Sequence, residues 1–268
     1  MHSLRFSPPV VAVLLALAPA AHAQQPTDTT TRPGPELALL NNAPVPAECA
    51  HPFGLGAGQR LEYQLLDSRG KLTGVLRYQV VSLSSEIKGQ TKKPYTITTL
   101  RLKSGLYDAA SHVQQQQDLV IVCKHDTTYT DGLAEINYNG LKSFDNRRFA
   151  YQSKPLAWPN QPTTGTALPE GGVVVQVSSA SVAIAKVKTT LKSRKVGSGL
   201  VMVAVPAGSF NCYTVESQRE LATAARADLV LQSTGRQVDY YAPTVGIVKT
   251  EYYDKGGKLQ QTRVLARR

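Results

Sequence analysis

Ala183-Ile184-Ala185-Lys186-Val187-Lys188-Thr189-Thr190-Leu191-Lys192-Ser193-Arg194-Lys195-Val196 alternates between two kinds of side chain. Odd positions, Ala183, Ala185, Val187, Thr189, Leu191 and Ser193, are small or apolar; even positions include Lys186, Lys188, Thr190, Lys192 and Arg194. A period of two places one set on each side of a β-strand, with same-side neighbours about 6.8 Å apart. On a helix the lysines would scatter around the circumference. The pattern predicts a strand with a greasy face toward a shared core and a one-sided basic ladder of Lys186, Lys188, Lys192 and Arg194. An exposed edge strand that lysines protect from mispairing explains the ladder without a ligand. A binding face for an anionic envelope polymer or a protein is the functional alternative.

The same alternation recurs outward from this stretch. Leu61, Tyr63 and Leu65 alternate with Arg60, Glu62 and Gln64; Leu76, Tyr78 and Val80 with Arg77 and Gln79; Leu100 and Leu102 with Arg101 and Lys103. Phe210, Cys212 and Thr214 oppose Asn211, Tyr213 and Val215. Two final strands, near 246–253 and 258–265, flank Asp254-Lys255-Gly256-Gly257, a hairpin turn whose glycines accept positive φ. Asp67-Ser68-Arg69-Gly70-Lys71-Leu72 shares the D-x-x-G-K-L pattern with 254–259. The expected fold class is all-β, built of antiparallel strands. One segment reads two ways. Ser217-Gln218-Arg219-Glu220 followed by Leu221 and alanines matches a capping box and one short helix near 217–227. A long hairpin with strands 210–219 and 230–242 competes with it.

Residues 1–9 carry one cation, Arg5, and no acid; 10–18 are unbroken apolar, and Ala21-His22-Ala23 ends the segment. This is the layout of a secretory signal peptide over 1–23. Nine apolar residues would span only about 14 Å as a helix, too little to cross a bilayer. Residues 24–48, rich in Pro, Thr, Asn and Gln, read as a flexible linker. Residues 49–268 are expected to form a single antiparallel β domain, exported to the periplasm or beyond, with no transmembrane segment.

The 268-residue chain carries 30 Lys and Arg against 19 Asp and Glu, a net charge of +11. Removing the leader takes away only Arg5. An excess of this size attracts anionic surfaces without choosing among them. Export and the lack of a recognition motif argue against nucleic acid as the partner.

Candidate chemistry is sparse. Cys49, Cys123 and Cys212 would face an oxidising compartment, so one disulfide and one thiol are expected, with the pairing open. Cys49-Ala50-His51 and Cys123-Lys124-His125 place a histidine two residues after a cysteine, which on strands would let four ligands meet around zinc. Structural zinc motifs keep at least two residues between ligands, and a disulfide explains the same cysteines, so no metal or cofactor is expected. There is no G-x-S-x-G, H-E-x-x-H or P-loop. Asp126-Thr127-Thr128 lacks the glycine of an aspartic-protease loop, and Gly197-Ser198-Gly199 marks a bend. The expected function class is non-catalytic.

Several segments resemble the TapB-like family of secreted bacterial proteins. They are Cys49-Ala50-His51-Pro52-Phe53, the 67–72 turn, Ile121-Val122-Cys123 and Ser193-Arg194-Lys195-Val196. The closest are Pro206-Ala207-Gly208-Ser209-Phe210-Asn211-Cys212-Tyr213 and the run from Tyr240 to Glu251. Tyr240 stands where that family favours tryptophan, Ser209 where it favours threonine, and Thr244 where it has a glycine. The resemblance extends distantly to LolA/LolB-like half-barrels. It implies a curved antiparallel sheet of half-barrel type, whose concave face shelters a lipid, a lipoprotein acyl chain or another amphiphile, and it carries over no catalytic residue.

Overall fold

The computed structural model describes residues 49–90, 93–144, 146–226 and 229–268. The expected leader and linker lie outside the described residues. Fifteen strands follow in chain order: β1 Arg60–Asp67, β2 Leu72–Gln90, β3 Lys93–Asp108, β4 Val113–Lys124, β5 Thr127–Thr130, β6 Arg148–Lys154, β7 Leu156–Pro159 and β8 Ala167–Leu168. Then come β9 Gly171–Ser179, β10 Val182–Val196, β11 Val201–Val205, β12 Gly208–Arg226, β13 Leu229–Ala242, β14 Gly246–Asp254 and β15 Leu259–Arg267. The lone α-helix among the described residues is α1, Tyr138–Leu141.

The strands pair antiparallel in the order β6-β9-β10-β12-β13-β14-β15-β1-β2-β3-β4-β5-β7. Its two outer strands, β6 and β7, are consecutive in sequence with only Pro155 between them. One trans peptide step is about 3.8 Å, so the chain itself brings the sheet's two edges together. The expected half-barrel is therefore nearly closed, which leaves little strand edge to pair with other chains.

Alternation places the core. Leu61, Tyr63, Leu76, Val80, Leu100, Leu102, Val215, Tyr241, Val248 and Leu265 are buried along the inner wall, joined by Trp158 of β7. Phe53 and Leu55, in a short 3-10 turn before β1, cap this end. The Arg268 guanidinium donates to the carbonyls of Phe53, Gly54 and Thr244, tying the last residue to that cap. Burying each such apolar side chain contributes about 1.5–3 kcal/mol.

Three turns share one construction. In the β1–β2 turn Asp67 Oδ1 accepts from Arg69 and Lys71 amides, and Gly70 takes φ 78°. In the β14–β15 turn Asp254 Oδ1 accepts from the Lys258 amide, with Gly257 at φ 81°. The β3–β4 turn repeats this with Asp108, whose Oδ1 accepts from Ala110 and His112 amides. Ser111 occupies its left-handed position at φ 69°, so no glycine marks it in the sequence. Between β13 and β14, Gly246 supplies the positive φ (95°). Thr244 is therefore accommodated without a left-handed backbone.

Two expectations are corrected. Residues 217–226 are strand, part of β12, and the long hairpin with β13 is what forms. Helix propensity is local and worth tenths of a kcal/mol per residue. Here it yields to pairing on both sides, with β10 and with β13. For the same reason β10 is no edge strand: β9 and β12 flank it.

Candidate functional site

An insertion between β5 and β6 enters the barrel. Asp131 caps its first turn by accepting from the Leu133 amide, and Asn137 accepts from the Gly140 amide at α1. Ile136 and Leu141 from this plug pack on Val173, Val175, Val177, Ala185 and Val187 of β9 and β10. Its start is seated backbone to backbone. A Cβ at Gly132 would collide with the Gly172 carbonyl and come within 2.6 Å of the Lys154 carbonyl.

The plug carries Glu135 into the interior, where it is buried and faces Arg263 of β15 at 3.9 Å. Arg263 Nη2 donates to Thr250 Oγ1 (2.9 Å), Thr250 Oγ1 to Asp239 Oδ1 (2.7 Å), and Gln237 Nε2 to Asp239 Oδ2 (3.0 Å). Burial, then repulsion from Glu135, pushes the Asp239 carboxyl up to about 6. Burial opposes the Arg263 charge, but Tyr252, Glu135, Tyr78 and Asp239 outweigh it and hold the guanidinium protonated. These residues form a polar belt across the barrel. Charged groups survive in an interior when paired and hydrogen-bonded, as most of these are.

The belt divides the interior. On the capped side lies a small, mostly apolar hollow of about 60 Å³, lined by Phe53, Leu61 and Ile121 among others. On the side of the three aspartate turns lies an open cleft of about 860 Å³. Leu65, Leu76, Leu106 and Leu221 give it apolar wall, Tyr78 and Tyr252 add phenols, and Arg219 and Arg263 add guanidinium groups. Asp108 and Asp254 stand among its lining residues. Gly74 and Gly235 pair with Asp108 and Asp254 at its rim, where a Cβ on either would come within 2.6 Å of a neighbouring carbonyl, that of Tyr107 or Tyr253. The volume falls within the range of small-ligand sites, roughly 300–1,000 Å³.

The residues singled out in the sequence fall elsewhere. Cys49 and Cys123 form a disulfide, and Cys212 is a buried free thiol. Both thiols of the conjectured zinc set are consumed by that bond, and His125 stacks on Tyr95 with ring centroids 4.1 Å apart. Among the described residues no cluster of His, Cys, Asp and Glu could hold a metal ion. His125 and Asp126, at φ 48° and 58°, form the tight β4–β5 turn, so Asp126-Thr127-Thr128 is a hairpin.

The basic ladder is shorter than expected. Lys186 and Lys188 are exposed, and Lys192 is ion-paired with Glu220 at 2.7 Å. Arg194 is a correction: it is buried, lies over the Trp158 ring at 4.8 Å, and donates to the Pro169 and Ala157 carbonyls. Ser193 takes φ 50°, the register with β12 slips between Lys192 and Lys195, and alternation inverts there. A bulge of this kind re-aims the side chains beyond it. Glu135, Asp239, Arg219 and Arg263 were missed, because each is an ordinary charge in sequence and only the barrel brings them together.

Residues 56–265 match the family model described as DUF3108-like. The chain belongs to the DUF3108-like family. Two solved structures share its fold. One is a candidate exported protein with a YmcC-like fold from Bacteroides fragilis (TM-score 0.62, 20% identity, covering 82% of this chain and 99% of that one). The other is a candidate lipoprotein from Parabacteroides distasonis (TM-score 0.63, 21% identity, 81% and 98%). No curated protein matches the sequence. At these identities the two structures speak to the fold of this DUF3108-like chain alone. The TapB-like and LolA/LolB-like resemblances rest on the local motifs that suggested them. Among the described residues no helix is long and apolar enough to cross a membrane.

Proposed function

We propose that this DUF3108-like chain is an exported binding protein of the cell envelope that holds an amphiphile inside its barrel without transforming it. The observation that carries the reading is the 860 Å³ cleft, apolar along Leu65, Leu76, Leu106 and Leu221 and polar at Arg219, Arg263 and Tyr252. A ligand with a hydrocarbon part and a polar part matches that division; a sugar would leave the leucines unused. Export is supported by the leader-like sequence of 1–23 and by the Cys49–Cys123 disulfide, a bond that persists in oxidising compartments. The descriptions of the two structural neighbours as exported protein and lipoprotein candidates agree with it. An enzymatic reading would draw on Glu135, but that carboxylate faces Arg263 at 3.9 Å.

The test is extraction. Protein secreted by an expression host and purified without detergent is denatured, and its bound lipids are identified by mass spectrometry. Wild type is expected to carry an amphiphile near one-to-one, and a Gln115→Trp/Ser233→Trp double variant, which fills the cleft from two walls, is expected to carry none. A lipid-free wild type that also fails to take up a fluorescent fatty-acyl probe would sink the reading.

A further inference from the structure

Arg219 sits in the cleft without an acid. It lies on the inner face of β12, between Ser217 and Leu221 and opposite Gly235. Its Nε is sealed from solvent with no hydrogen-bond partner, and its guanidinium lies over the Tyr252 ring at 5.2 Å. Among the described residues no carboxylate comes within ion-pair distance of it. Arg263 differs, held by Thr250 and facing Glu135. Beside it the belt sets Arg263 against Glu135 and Asp239, while Asp108 and Asp254 line the same cleft and accept from the amides of their own turns. A partly desolvated, unpaired charge is unfavourable, and an oxyanion relieves it best where a planar guanidinium can grip it with two parallel hydrogen bonds.

We propose that the ligand is a single-chain anionic amphiphile, its acidic head group clamped by Arg219 and its hydrocarbon chain laid along Leu65, Leu76 and Leu106. This rests on the amphiphile reading and adds the sign of the head group and the residue that reads it. Glu135 faces Arg263, and Asp239 accepts from Thr250 and Gln237, so neither acid is paired with Arg219. A cationic head would meet Arg219 and Arg263 together and be repelled.

Isothermal titration with four twelve-carbon probes below their micelle concentrations separates the outcomes: dodecanoate, dodecyl phosphate, dodecanol and dodecyltrimethylammonium. For the wild type, the two anions are expected to bind at least about tenfold more tightly than the alcohol, with the cation weakest, a preference of the size one charge-assisted contact supplies. Carboxylate and phosphate are told apart by which anion is favoured. Arg219→Gln is expected to bring the anions down to the level of the alcohol, and Arg219→Lys to restore part of the preference. Equal binding of anion and alcohol by the wild type overturns the head-group assignment while leaving an amphiphile site intact. So does a preference that survives in Arg219→Gln. Failure of all four probes overturns the amphiphile reading itself. The wild-type ratio needs no variant, so a misfolded Arg219→Gln does not remove the test.

Discussion

Asp239 is the residue whose protonation the fold controls most visibly. Its carboxyl is raised to about 6 by burial and by Glu135. Between about pH 4 and 6 the folded chain keeps a proton that the unfolded chain has released, so stability falls as pH rises through that window and stays lower above it. Asp239→Asn removes this fall. In urea titrations the variant is expected to gain on wild type between pH 4 and pH 7, by at most about 3 kcal/mol; a difference that does not move with pH would refute the assignment. Gln237 can follow the change, since its Oε1 has no partner and a flipped amide would accept from the new Asn. Cys212 gives a second residue-scale expectation. Burial pushes its thiol up to about 12, so a thiol reagent should find no reactive group in the native protein. In denaturant it should find one, and after reduction three per chain. Reduction also opens a bridge between residues 74 apart, which should cost about 4 kcal/mol in the loop-entropy account.

At the scale of elements, most strands could be read directly because each meets greasy surroundings on one side and water on the other. The D-x-x-G-K-L turns could be read because glycine advertises positive φ. The β3–β4 turn was hidden because Ser111 adopts the same backbone without that advertisement. Arg194 was misplaced because one bulge at Ser193 reverses the alternation, and nothing in the local sequence announces a bulge. Ser193→Gly should therefore stabilise by up to about 1 kcal/mol, and Ser193→Val should destabilise by about 1–3 kcal/mol, as read by chemical denaturation. If valine is tolerated without cost, the left-handed conformation at 193 is not what turns Arg194 inward. The helix reading of 217–227 failed because propensity is a local quantity, whereas β12 is fixed by the two strands beside it. For the plug, Gly132→Ala should unseat residues 131–144 from the Gly172 carbonyl. A loss of about 2–4 kcal/mol is expected, with altered near-ultraviolet dichroism and an unchanged far-ultraviolet β signal.

For the whole molecule, an all-β architecture followed from the alternation and curvature from the family resemblance, but near-closure followed from neither. Closure depends on β6 and β7 being neighbours in sequence and opposite edges in the sheet, a property of pairing order. The polar belt was equally out of reach, since Glu135, Asp239, Thr250 and Arg263 come from four separate segments. The belt decides what the barrel can do: it seals the capped half and leaves the other half open. Methyl NMR of leucine-labelled protein titrated with dodecanoate locates the occupant most directly. The expected result is saturable shifts at Leu65, Leu76, Leu106 and Leu221, with Leu100 and Leu156 in the capped core unmoved. Shifts confined to the exposed Leu229 and Leu231, or none anywhere, would contradict a ligand site inside the barrel.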